Sequence, residues 1–188
     1  DISHMGILSE LIEEAGLSGE LKRKILVCIG EKNRSGVALV CDEAGLDASL
    51  KECFTKLVSA YGKIEDVISV LGEVCRTEKA REALGDLTLI CEMTKKCGAA
   101  DHVWIDFSVV NDMNYYDGII FKGFVNGIPD SVLSGGRYDR LMEKFGKRVG
   151  AIGFAVYLDK LERFAAGENS FDVDVMLVYD EDVAPRDI

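Results

Sequence analysis

Asn114-Tyr115-Tyr116-Asp117-Gly118-Ile119-Ile120-Phe121-Lys122-Gly123-Phe124 opens a stretch that continues through Leu133-Ser134-Gly135-Gly136-Arg137-Tyr138-Asp139. It closes with Gly150-Ala151-Ile152-Gly153-Phe154-Ala155-Val156-Tyr157-Leu158-Asp159-Lys160-Leu161. The two tyrosines run into β-branched and aromatic residues, which is a strand composition. Val125-Asn126-Gly127-Ile128-Pro129-Asp130 supplies turn residues before the chain returns through Ser131–Ser134, so the spacing predicts a hairpin. A third β segment then runs into a helix. Within Gly135-Gly136-Arg137-Tyr138-Asp139, two glycines remove side chains where a ligand can approach the backbone. Beside them stands a guanidinium suited to carboxylate or phosphate. The same residues also read as a glycine bulge with an Arg137–Asp139 surface pair.

The three segments, in this order, resemble the second half of the class II aminoacyl-tRNA synthetase catalytic domain in its histidyl version. That family carries Arg-Gly-Leu-Asp-Tyr-Tyr, then Gly-Gly-Arg-Tyr-Asp, then Gly-Phe-Ala followed by a helix. The resemblance is close over residues 101–165 and looser over the helical stretch before them. It implies an α+β fold built on a partial antiparallel sheet of class II synthetase type, with an N-terminal all-helical, insertion-like region.

The departures from the family carry the functional reading. The place of the family's first-motif arginine, which meets the histidine carboxylate and the ATP α-phosphate, holds Asn111. A neutral amide cannot stabilise the charge that develops during adenylate formation. A small glycine and an adenine-stacking arginine of the third motif are replaced by Tyr157 and Lys160. Lysine keeps the charge without the planar face, and Tyr157 crowds the nucleotide side. The amino-acid side survives: by resemblance Tyr116 and Tyr138 line a histidine pocket, with Tyr115, Gly135, Gly136 and Arg137 shaping it.

A pocket that keeps histidine contacts and loses catalysis resembles the regulatory-subunit family of ATP phosphoribosyltransferase, synthetase-like partners of a short-form catalytic subunit in histidine biosynthesis. The resemblance implies a non-catalytic protein, histidine as effector, the short-form subunit as partner, self-association, and no cofactor. A fragment of a histidyl-tRNA synthetase, or a synthetase-like paralogue that binds another amino acid, are the alternatives.

Working outward, Asp1-Ile2-Ser3-His4-Met5 reads as an expression-vector remnant and is set aside, which leaves His102 as the only native histidine. Residues 6–100 form the helical region, 101–167 the second half of the synthetase-like core, and 168–188 the start of a following segment, in which Phe171–Tyr179 alternates like a strand. The first two class II motifs would precede Gly6, so the chain reads as a fragment of a longer protein. Ile7, Leu8, Leu11 and Ile12 form one apolar stripe, and Ser18 begins a second helix ending at Gly30. Arg34–Ala44 is a weaker helical piece. Asp47 caps another helix, stopped at Gly62, and Ile64, Val67, Ile68 and Leu71 continue the pattern. A long helix runs from Thr77 towards Gly98, and His102–Val110 alternates as a strand.

The 188 residues carry a net charge of −11 and 48% hydrophobic residues. The acidic balance disfavours nucleic-acid binding, and the helical region lacks a basic cluster for a tRNA contact. No apolar run approaches the roughly 18 residues a membrane span needs. The reading is therefore a cytoplasmic protein with no membrane and no nucleic-acid partner. Six cysteines, Cys28, Cys41, Cys53, Cys75, Cys91 and Cys97, contain no C-x-x-C pair and read as reduced thiols with no metal site.

Overall fold

A computed structural model describes residues 1–109 and 116–165, with side chains described to residue 162. Six helices come first: α1 (Met5–Glu14), α2 (Gly19–Gly30), α3 (Arg34–Glu43), α4 (Ala48–Ser59), α5 (Ile64–Val74) and α6 (Glu78–Lys96). The short strand β1 (Ile2–His4) precedes α1, and β2 (Tyr61–Gly62) lies between α4 and α5. They are followed by β3 (Ile105–Asp106), β4 (Ile119–Gly123), β5 (Leu133–Arg137), the short helix α7 (Asp139–Lys144), β6 (Ile152–Val156) and α8 (Leu158–Ala165).

The helix boundaries follow their local chemistry. Asn33, Asp47 and Thr77 each accept a hydrogen bond from a backbone N–H one turn ahead, at Gly36, Leu50 and Ala80, which satisfies a donor the first turn leaves unpaired. Ser18 sits at the N-cap of α2 without a side-chain bond. α4 ends at Ser59, three residues before the expected stop at Gly62, with Ala60 extended at its C-cap, and Gly62, at φ +152°, lies in β2 before α5. The stripes meet in one core, where Phe54, Leu57, Leu71, Leu87, Ile7 and Leu11 are fully buried. That core continues into the sheet through Ile105 and Ile120.

The described strands form one sheet in the order β2-β3-β1-β4-β5-β6, antiparallel throughout except for the parallel pair β1–β3. The α+β reading with a mainly antiparallel sheet holds, and so does the hairpin: β4 and β5 pair from Ile120↔Gly136 to Gly123↔Leu133. The predicted strand at His102–Val110 is shorter. Ala100–His102 makes a 3-10 turn, and only Ile105–Asp106 pairs. The alternating segment at 171–179 lies outside the described residues.

Residues 1–5 require a correction, because they belong to the folded unit. Ile2 pairs with Phe121 on one side and Ile105 on the other, and His4 pairs with Ile119. Met5 is 2% exposed, and His4 caps α1 by accepting from the Gly6 N–H at 3.1 Å. A three-residue strand carries too little pattern to be read alone. Its placement comes from ladders on both sides, formed by residues more than a hundred positions away.

Candidate functional site

Strand alternation splits the Gly-Gly-Arg-Tyr-Asp motif between the two faces of the sheet. Gly136 lies opposite Gly153 across β5 and β6 and opposite Ile120 across β4 and β5. A Cβ added to Gly136 would stand 2.6 Å from the Tyr116 ring, and one added to Gly153 would stand 2.7 Å from the Tyr138 hydroxyl. Both rings therefore rest on a glycine floor, on one face. That face continues to Ser134, paired with Ala155 and Lys122.

Tyr157 joins the same face. Its hydroxyl lies 2.6 Å from Ser134 Oγ, and its backbone N–H donates to the Val132 carbonyl at 2.8 Å. The Lys160 ammonium sits 5.0 Å from the Tyr157 ring centre and donates to the Ser131 carbonyl at 3.1 Å. Asp130 stands 3.9 Å from that ammonium. Lys160 is thus occupied at the β4–β5 loop and has a cation–π contact with the Tyr157 ring.

Gly135 and Arg137 occupy the opposite face. A Cβ on Gly135 would meet Phe121 and Phe154, its cross-strand partners. Arg137 reaches Asp139, with Nε donating at 2.8 Å and a second nitrogen 2.6 Å from the same carboxylate oxygen. The guanidinium holds the Asp139 carboxyl below the usual range, helped by the Ala151 N–H that donates to it at 2.8 Å. The surface-pair reading of Arg137 and Asp139 is what the geometry contains, and Arg137 is not brought to the tyrosine face. Asp117 fixes the turn between the motifs by accepting from the Arg140 N–H at 2.6 Å and the Asp139 N–H at 3.3 Å. Asn111 and Tyr115 lie outside the described residues.

Gly153 and Asp117 are contributors that the sequence reading did not single out. The only signal for Gly153 was its place in Gly-Phe-Ala, and its register against Gly136 is a tertiary fact. No group of three or more possible metal ligands occurs among the described residues. Among them, too, no helix is long and apolar enough to cross a membrane.

Comparison with known proteins places this geometry in a family. The family model described as histidyl-tRNA synthetase matches residues 1–161. A protein of Acetivibrio thermocellus named ATP phosphoribosyltransferase regulatory subunit is 34% identical over 97% of this chain and 44% of its own length. A Bacillus halodurans crystal structure, titled ATP phosphoribosyltransferase regulatory subunit/histidyl-tRNA synthetase, superposes with TM-score 0.76 at 30% identity, covering 86% of this chain and 42% of that one. A chain of the ATP phosphoribosyl transferase complex of Thermotoga maritima has TM-score 0.60 at 18% identity, over 83% of this chain and 52% of that chain. At that identity it shows the fold alone. This chain spans less than half the length of the first two relatives. On the span of the match, it belongs to the histidyl-tRNA synthetase family.

Proposed function

We propose that this chain is part of a non-catalytic regulatory subunit of ATP phosphoribosyltransferase. In this reading it holds histidine on the Tyr116–Tyr138 face and conveys its presence to a short-form catalytic subunit in histidine biosynthesis. The observation that carries the proposal is the Tyr157–Ser134 contact. It puts an aromatic ring where the family keeps a glycine, while Lys160, in place of the adenine-stacking arginine, is committed to Ser131 and Tyr157. A nucleotide base meets a filled floor and no planar cation there.

Asn111 adds a second loss. An amide at the place of the family's arginine leaves the α-phosphate charge of an adenylate-forming step uncompensated. The tyrosines of the amino-acid side remain, so ligand binding without activation is the chemistry left. Differential contacts of histidine with two states of the assembly then bias the catalytic subunit. The names of the Acetivibrio and Bacillus relatives support this reading. Phe154 on β6, 70% exposed, supports self-association.

The test is calorimetry of histidine, and separately of ATP, against the full-length protein with and without a short-form ATP phosphoribosyltransferase subunit. The expected result is histidine binding, no ATP binding by the protein alone, and increased phosphoribosyltransferase activity in the mixture. ATP binding with histidine-dependent pyrophosphate exchange would overturn the proposal in favour of a synthetase.

A further inference from the structure

On the face of the sheet away from the tyrosines, Arg137, His4 and Asp86 line a cleft of about 420 Å³ between β5, β6 and α6. Its walls include Leu89 and Ile90 of α6, with Ile119 and Ile152 of the sheet. Asp86, Leu89 and Ile90 fall at i, i+3 and i+4, so one helix face presents a carboxylate beside aliphatic surface. The volume lies within the range of small-molecule sites.

The polar groups have fixed roles. His4 is 6% exposed, and its Nδ1 accepts from the Gly6 N–H, so in the neutral ring Nε2 carries the proton. Nε2 stands 3.9 Å from Asp86 Oδ2, too far for a hydrogen bond. The His4 ring is buried overall, and its Nε2–H opens on the cleft, where no side chain of the described residues lies within hydrogen-bond distance of it. Arg137 has committed Nε and one terminal nitrogen to Asp139, and its other terminal nitrogen has no bonded partner among the described residues. Asp86 keeps its carboxylate 59% exposed.

Charge balance selects the ligand class. Asp86, Arg137 and Asp117 all bear on His4, and with Arg137 paired to Asp139 the two remaining carboxylates leave the surroundings acidic. A lone carboxylate is repelled there, and a lone ammonium meets the His4 N–H donor and the Arg137 guanidinium. A molecule that carries both charges satisfies every group.

We propose that this cleft is a second ligand site, which takes a zwitterionic α-amino acid with an aliphatic side chain. The carboxylate is held by His4 Nε2–H and Arg137, the ammonium by Asp86, and the side chain lies among Leu89, Ile90 and Ile152. The site is separate from the Tyr116–Tyr138 face and does not depend on the histidine reading. Arg137 and Gly136 are adjacent in β5 and face opposite ways, so the two faces are one residue apart along the strand.

The experiment is calorimetry of the full-length protein with L-leucine, isovalerate and isoamylamine, repeated with Leu89→Trp and Asp86→Asn. Leu89 is 56% exposed, so tryptophan fills the cleft without disturbing the core. L-leucine is expected to bind at millimolar concentration or tighter, each half-molecule about tenfold or more weaker. Leu89→Trp should abolish the heat and Asp86→Asn should weaken binding by about tenfold. Tyr138→Phe should leave leucine binding unchanged, and this separates the site from the histidine face. No saturable heat with L-leucine, equal binding of a half-molecule, or binding that survives Leu89→Trp would each overturn the proposal.

Discussion

Gly136 faces Gly153 across the β5–β6 ladder, and the Tyr116 and Tyr138 rings stand in the two spaces where their side chains would lie. A methyl group at Gly136 meets the Ile119 carbonyl at 2.7 Å as well as the Tyr116 ring, and backbone cannot step aside cheaply. Gly136→Ala is expected to lower stability by about 1–3 kcal/mol, as overpacking does. At Gly153 the methyl meets the tip of Tyr138, a movable group. Gly153→Ala should therefore cost less in urea unfolding and, under the proposed function, weaken histidine binding. Equal stability losses for both would show that the rings are not resting on these glycines.

Lys32, in the turn between α2 and α3, reaches Asp106 of β3 at 2.7 Å, and Asp106 is 4% exposed. The ammonium also lies 4.4 Å from the centre of Tyr61, which stacks on Trp104 at 5.5 Å. Lys32→Met leaves a buried carboxylate with only the Ser108 N–H bonded to it among the described residues. Breaking a fully buried pair costs roughly 3–5 kcal/mol. With Lys32 47% exposed, about 2 kcal/mol is expected here. Adding Asp106→Asn should recover part of the loss, and a double-mutant cycle by chemical denaturation reads the coupling.

Burial lowers the pKa of His4 below its ordinary 6.5, with Asp86 opposing the shift. The unfolded chain then binds the proton more readily than the folded one. The stability contributed by neutral His4 is complete above about 6.5 and is lost as pH falls through the folded value. The melting temperature should drop between pH 7 and pH 5. His4→Asn retains an acceptor for the Gly6 N–H and should flatten that part of the profile. An unchanged slope would place the titration elsewhere.

Cysteine reactivity should follow burial. Cys41, Cys53, Cys75 and Cys91 are buried and Cys97 is exposed. Burial pushes the Cys75 thiol up to about 11 and raises Cys41 and Cys91 as well. Iodoacetamide at pH 8 is expected to label Cys97 first and to reach those three only on unfolding, as read by peptide mass spectrometry. Early labelling of Cys75 would contradict its placement in the core.

Tyr157→Phe removes the hydroxyl that meets Ser134 Oγ, in a half-buried position. A loss of about 1 kcal/mol is expected. Under the proposed function, Tyr157→Gly opens the floor without giving ATP binding, because Asn111 remains neutral. Calorimetric binding of ATP by that variant would mean that position 157 alone closes the nucleotide side.

Local chemistry made much of this protein legible from its residues. Asp47 and Thr77 announce helix starts because a side-chain oxygen one turn before a free N–H is a short-range device. The turn at Asn126–Asp130 announces a hairpin for the same reason, and the three ordered motifs placed the chain within a family. Such signals act over a few positions, so a linear reading holds them intact.

Tertiary structure decided the rest. Residues 1–5 carry no pattern of their own, and only ladders to Phe121 and Ile105 make them a central strand. Arg137 and Gly136 are neighbours in the chain and strangers in space, because a pleated strand sends successive side chains to opposite faces. Which face holds the tyrosines depends on the register of Gly136 against Gly153. That register is set by burial and by pairing between distant segments, which no local sequence contains.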